Sequence, residues 1–68
     1  MLKYNIIVYI KDEEGDLEVI LPVEYENEYN LRRDVTNIGV NGVLQKMTDM
    51  YLYYPPHKIK RIEVKELK

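Results

Sequence analysis

The sequence predicts an α+β domain with elements in the order β-β-α-β-β-β. It is a small antiparallel sheet or partly open barrel, with one short helix near residues 31–38. Three observations carry that prediction. Apolar residues alternate through residues 2–10 and again through 17–25, with a polar segment ending in a glycine between them. A single apolar stripe then runs at helical spacing through Leu31, Val35 and Ile38. After Gly42 the chain returns to short apolar runs, cut by Thr48-Asp49 and by Pro55-Pro56. Sixty-eight residues allow a single domain spanning 1–68.

In residues 2–10, Leu2, Tyr4, Ile6, Val8 and Ile10 share one parity, and Ile7 and Tyr9 occupy the other. Such a nearly continuous, β-branched run predicts a strand covered on both faces, central in its sheet or buried in an interface. Lys11-Asp12-Glu13-Glu14-Gly15-Asp16 is polar, and Gly15 can adopt the positive φ of a hairpin loop without a Cβ penalty. Leu17, Val19, Leu21, Val23 and Tyr25 alternate with Glu18, Ile20, Pro22 and Glu24, a half-buried strand antiparallel to the first. Pro22 lacks a ladder donor, so this strand should be an edge or leave the sheet there.

Asn30 has the side chain of a helix N-cap. Gly39, followed by Val40, fits a Schellman ending in which Val40 contacts Val35. Two turns of helix form only when packed on a sheet. Residues 43–47 and 50–54 then make a hairpin through Thr48-Asp49. Pro55-Pro56 ends it, since neither residue can donate a ladder hydrogen bond. Ile62 and Val64 alternate with Arg61, Glu63 and Lys65 in a last half-exposed strand over 60–66, and Leu52, Ile62 and Val64 are expected in the core.

A chain of this length buries only about 60% of its unfolded surface, so its core needs support. Without cysteine, neither a disulfide nor a cysteine-ligated metal can supply it, and one histidine leaves only carboxylate-rich sites. Self-assembly is the remaining route, and a homo-oligomer is expected. No apolar run reaches the ~18 residues of a membrane span, and Met1-Leu2-Lys3-Tyr4 already reads as strand, not as a signal peptide. The cysteine-free composition fits a reducing cytoplasm.

The net charge of −2 conceals an asymmetry. Residues 1–31 carry eight acids against Lys3 and Lys11, a balance of −6, whereas residues 32–68 carry eight basic residues against four acids, a balance of +4. Either the two halves face each other within one fold, or acidic and basic faces meet between subunits.

Catalysis lacks its usual residues. There is no cysteine and no serine, and Thr36 and Thr48, the only aliphatic hydroxyls, sit where cap or turn chemistry explains them. Glu13-Glu14-Asp16 departs from the order of a calcium loop and reads as a solvated hairpin tip. Gly39-Val40-Asn41-Gly42 has too few glycines for a phosphate loop and follows a helix instead of opening one. No enzymatic activity, cofactor or metal is expected.

Binding is the remaining chemistry, and Met50–Val64 concentrates it. This stretch holds three of the seven tyrosines, two of the three prolines, the only histidine and the densest basic cluster. Tyr51 and Tyr53 share one strand face, and Met50, Leu52 and Tyr54 share the other. Tyrosine offers large rigid area at small entropic cost. His57, Lys58, Lys60 and Arg61 beside these tyrosines could receive an anion. The candidate binding residues are Tyr51, Tyr53, Tyr54, His57, Lys58, Lys60 and Arg61.

Over residues 43–64, a hairpin followed by Tyr54-Pro55-Pro56-His57-Lys58-Ile59 and a final strand resembles the second Sm motif of Sm-like and SH3-like small β-barrels. In that family a Tyr-x-His-x-Ile turn lines the pore of an RNA-binding ring; here the spacing is one residue longer. The resemblance implies Tyr54, His57 and Lys58 as ligand contacts. The short, cysteine-free, tyrosine-rich chain also resembles small phage-encoded proteins in general, which implies an inhibitory or sequestering role. The expected function is a non-enzymatic binding module for a protein or small anionic ligand. The alternative is an RNA or single-stranded nucleic-acid binder using the stretch 51–61, in which case affinity should fall steeply with salt.

Overall fold

A computed structural model describes residues 1–67. The chain forms β1 (Leu2–Asp12), β2 (Gly15–Tyr25), α1 (Glu28–Asn41), β3 (Val43–Lys46), β4 (Tyr51–Tyr54), a 3-10 turn (Pro56–Lys58) and β5 (Ile59–Leu67). This is the α+β order β-β-α-β-β-β. The strands do not close into a barrel. They divide into a three-stranded antiparallel sheet, β2-β1-β5, and a separate two-stranded hairpin, β3-β4.

β1 is central, as its apolar run requires. It pairs with β2 in unbroken register from Leu2↔Tyr25 to Asp12↔Gly15, so the strands extend further towards the turn than the polar segment suggested and leave only Glu13-Glu14 as loop. Gly15 sits at φ 130°, open to glycine and strained for any other residue. β2 is an edge strand, consistent with Pro22. On the other side β1 pairs with β5, with a register shift after Tyr9↔Arg61 that makes Lys60 the extra residue of a bulge.

One face of β1 makes the core. Tyr4, Ile6, Val8 and Ile10 are buried with Val19, Leu31 and Val43, while Val35, Ile38, Tyr54, Ile59 and Ile62 pack around them. Val8 and Ile10 are 0% exposed. Each fully buried valine or isoleucine is worth roughly 1.5–3 kcal/mol. Surface ion pairs contribute about 0–1 kcal/mol apiece, so this stripe dominates the cohesion of the sheet. The expectation that β1 is covered on both faces is corrected: the core elements lie on the even-numbered face alone. Ile7 is buried because Ile20 and Glu63 flank it in register on the neighbouring strands.

The helix is longer than its stripe predicts, and both caps move. Asn27, not Asn30, is the N-cap; its side chain accepts from the Asn30 N–H at 3.1 Å. Asn30 is thus the capped donor. At the other end the helix runs through Gly39 and stops at Gly42, which has φ 91° and donates its N–H to the Ile38 carbonyl at 2.9 Å. Gly42 is required where Gly39 is not. A Cβ at Gly39 would meet nothing, but at Gly42 it would collide with the Tyr54 carbonyl. Val40 is consequently inside the helix and exposed rather than folded back on Val35.

Beyond Gly42, β3 and β4 turn through Thr48-Asp49, with Met47 N–H donating to the Met50 carbonyl at 2.7 Å. Pro55-Pro56 ends β4, and Lys58 N–H donates to the Pro55 carbonyl at 3.0 Å to close the 3-10 turn. That turn swings the chain away from β3-β4 and onto the free side of β1, so the last strand joins the first sheet. The two charge halves meet within the fold among the described residues, on the sheet where Lys60 Nζ binds Asp16 Oδ2 at 2.8 Å and in the helix where Arg32 pairs with Glu28 at 3.8 Å. No helix of the described residues is long and apolar enough to cross a membrane.

Candidate functional site

The β3-β4 hairpin has two dissimilar faces. Its register, Val43↔Tyr54, Leu44↔Tyr53, Gln45↔Leu52 and Lys46↔Tyr51, assigns Val43, Gln45, Leu52 and Tyr54 to one side. Leu44, Lys46, Tyr51 and Tyr53 take the other. The first side is the anchor. Val43 is 2% exposed in the core and Tyr54 packs against the same cluster. The second side is open: Leu44 is 56% exposed, Tyr51 61% and Tyr53 58%, while Met47 and Met50, exposed beside the turn, follow the alternation of the first side. Lys46 is the only ionic group on the strands of this face.

The open face is held in place. The Tyr53 hydroxyl donates to the Asn41 carbonyl at 2.6 Å, tying the ring to the last residue of α1. The same ring lies against Gly42, where an added Cβ would come within 3.0 Å of it. Glycine at 42 therefore lets the hairpin root approach the helix end, and Tyr53 fills the space beside it. A two-stranded sheet is marginal by itself; here its root is locked by Val43, Tyr54 and the Tyr53 hydrogen bond, while its tip projects.

The seven candidate residues do not form one cluster. Tyr51 and Tyr53 lie together on the open hairpin face. Tyr54 lies on the opposite face against the core. His57 is exposed and Lys58 half-buried in the 3-10 turn, where with Lys11, Asp12 and Glu13 they line an open depression of about 260 Å³ of mixed charge. Lys60 and Arg61 belong to the three-stranded sheet and have acidic partners there. Lys60 binds Asp16 and holds that carboxyl below its usual range by hydrogen bonding and charge. Arg61 donates to Glu63 at 3.0 Å and stacks 4.2 Å from the centre of the Tyr9 ring. Tyr9 in turn donates to Glu63 at 3.0 Å, and this hydrogen bond is the largest cause of the raised pKa of its phenol. Leu52 is half-buried on the anchor side. The expectation that Leu52 and Val64 join the core is corrected: of Leu52, Ile62 and Val64, only Ile62 packs against it, and Val64, on the core side of the edge strand β5, stays 39% exposed.

Leu44 joins the tyrosines on the open surface without having been singled out from the sequence. The signal was present: a two-residue turn at Thr48-Asp49 makes 44 face 53 and 46 face 51, so the partners of Tyr51 and Tyr53 follow by counting back from the turn. Among the described residues no group of three or more His, Asp or Glu side chains is placed to hold a metal ion. Comparison of the chain with protein-family models, curated proteins and solved structures finds no match.

Proposed function

We propose that this protein is a non-enzymatic binding module that docks a protein partner on the open face of β3-β4 and acts by occupying it. One observation carries the reading: Leu44, Tyr51 and Tyr53 share an exposed apolar face on a rigidly rooted hairpin. Contiguous exposed apolar patches are uncommon on monomeric surfaces and mark interaction sites. Tyrosine is among the residues such contacts favour. A protein surface suits this face better than a nucleic-acid strand, because Lys60 and Arg61 already neutralise Asp16 and Glu63 on another sheet.

The test is capture from a lysate of the source cells by wild-type protein, by Leu44→Ser/Tyr51→Ser and by His57→Ala/Lys58→Ala. Both side chains of the first pair are exposed, so its fold should survive, with a stability change within about 0.5 kcal/mol. A specific partner retained by wild type and by the His57/Lys58 variant, but at least tenfold weaker on the hairpin variant, is the expected result. Equal recovery on the hairpin variant refutes the reading. Loss with the His57/Lys58 variant alone moves the site to the 3-10 turn.

A further inference from the structure

The three-stranded sheet has two free edges, and they differ in kind. β2 is protected: Pro22 removes a donor, and Asp16, Glu18 and Glu24 give it acids with no basic residue between Gly15 and Tyr25. A second β2 laid against it would bring acid towards acid. β5 contains no proline, and its regular part, residues 61–67, alternates in sign along the outer face as Arg61, Glu63 and Lys65 before Leu67. Among the described residues Lys65 has no ion-pair partner.

The register decides which backbone groups face outward. A two-residue loop makes its flanking pair, Asp12 and Gly15, a hydrogen-bonded pair, and the pattern alternates from there. Even-numbered residues of β1 therefore turn their backbone groups towards β2, and odd-numbered residues turn theirs towards β5. Arg61, Glu63, Lys65 and Leu67, which oppose the odd residues, are tied to β1. The N–H and C=O groups of Ile62, Val64 and Glu66 are left on the open edge.

We propose that β5 pairs antiparallel with β5 of a second copy of this chain about a twofold axis at Val64, joining two three-stranded sheets into one of six strands. Charge selects that register. With the axis at Val64, Glu63 of each copy faces Lys65 of the other on the outer side. An axis at Glu63 sets Glu63 against Glu63 and Arg61 against Lys65, and an axis at Lys65 sets Lys65 against itself; like charges directly opposite are destabilising. An axis at Ile62 requires the Lys60 bulge to enter the ladder. On the core side the Val64 axis brings together two valines that are each 39% exposed in the monomer, flanked by Ile62 of each copy opposite Glu66 of the other. The pairing offers the support that a core centred on so few buried residues lacks. Edge pairing alone falls at the small end of interfaces, below about 1,200 Å², so the dimer should dissociate on dilution.

Because the chain has no cysteine, Val64→Cys tests the axis directly. Hydrogen-bonded antiparallel partners stand about 5.5 Å apart between Cα atoms, within disulfide range. Mild oxidation of Val64→Cys should give a cross-linked dimer of twice 8.2 kDa. Leu67→Cys, whose copies lie roughly 20 Å apart along the paired strands, should stay monomeric under the same oxidation. Equal cross-linking of both variants, or none of Val64→Cys with native circular dichroism, overturns the proposal. For the protein without cysteine, sedimentation should show Lys65→Glu weakening the dimer about tenfold and Lys65→Glu/Glu63→Lys restoring it. Failure of the double swap to restore it counts against this register. Leu44→Ser/Tyr51→Ser should leave the dimer unchanged. Its loss there would assign self-association to the hairpin instead, so this inference and the partner-docking reading fail on different variants.

Discussion

The two hairpins of this chain use the same residue vocabulary to opposite ends. In β1-β2 each strand has eleven residues, all paired, and the apolar side of β1 is sealed beneath α1 and the root of β3-β4. In β3-β4 each strand has four residues, only the root pair reaches the core, and the apolar side of Leu44, Tyr51 and Tyr53 faces outward. The difference lies in what lies opposite. β1 has neighbours on both edges and a layer over one face, so its apolar groups generate stability. Among the described residues β3-β4 has neither a third strand nor a layer over its open face, and its apolar groups remain available to another molecule.

The sharpest way to break this contrast is to damage the first hairpin. Ile10, 0% exposed between Leu17 and Ile59, should lose about 2–5 kcal/mol of unfolding free energy on Ile10→Ala. A domain of this length is stable by roughly 3–10 kcal/mol, so much of the cooperative transition in urea should disappear. A loss below about 1 kcal/mol would mean that the β1 stripe is not the core.

A middle-sized effect is expected where the two regions join. Gly42→Ala puts a side chain at φ 91° and against the Tyr54 carbonyl, with a backbone cost of about 1–3 kcal/mol. The damage should be local: amide exchange should accelerate across residues 43–54 while residues 4–10 remain protected. Equal acceleration in both segments would show that the hairpins unfold as one unit.

The smallest expected effect is a pH dependence belonging to the first hairpin. Tyr25, at the end of β2, donates to Asp34 of α1 at 2.6 Å; burial first and that hydrogen bond second push its pKa up to about 12. The unfolded phenol titrates near ~10. The folded state therefore holds this proton more tightly. Its contribution is complete below pH ~10 and declines as pH rises through 10 towards the folded value. Tyr25→Phe should flatten most of the alkaline fall in denaturation midpoint, leaving a remainder from Tyr9, whose pKa is also raised. An unchanged alkaline profile would remove Tyr25 as its source.

Much of the architecture was legible because it rests on short-range rules. The central position of β1 follows from its unbroken apolar run, the β3-β4 turn from the two residues at Thr48-Asp49, and the end of β4 from Pro55-Pro56. The helix caps were less legible because the chain offers two asparagines three residues apart and two glycines three residues apart. Cap chemistry accepts either choice. Gly42 is distinguished from Gly39 by the approach of Tyr54, a residue brought close only by the folded hairpin. The candidate site divided for a similar reason. Lys60 and Arg61 look free in sequence, but their partners, Asp16 and Tyr9, lie more than forty residues away and reach them through sheet pairing.

By itself, then, the sequence determined the elements and their order, because alternation, helical spacing and proline act over a few neighbouring residues. Only the tertiary structure decided that the strands divide into two sheets and that β5 returns to β1. Those choices depend on which strand edge is free once the chain has turned at Pro56–Lys58. They turn the dense stretch from Met50 to Val64 into two separate surfaces, the open aromatic face of a hairpin and the charged edge of a sheet.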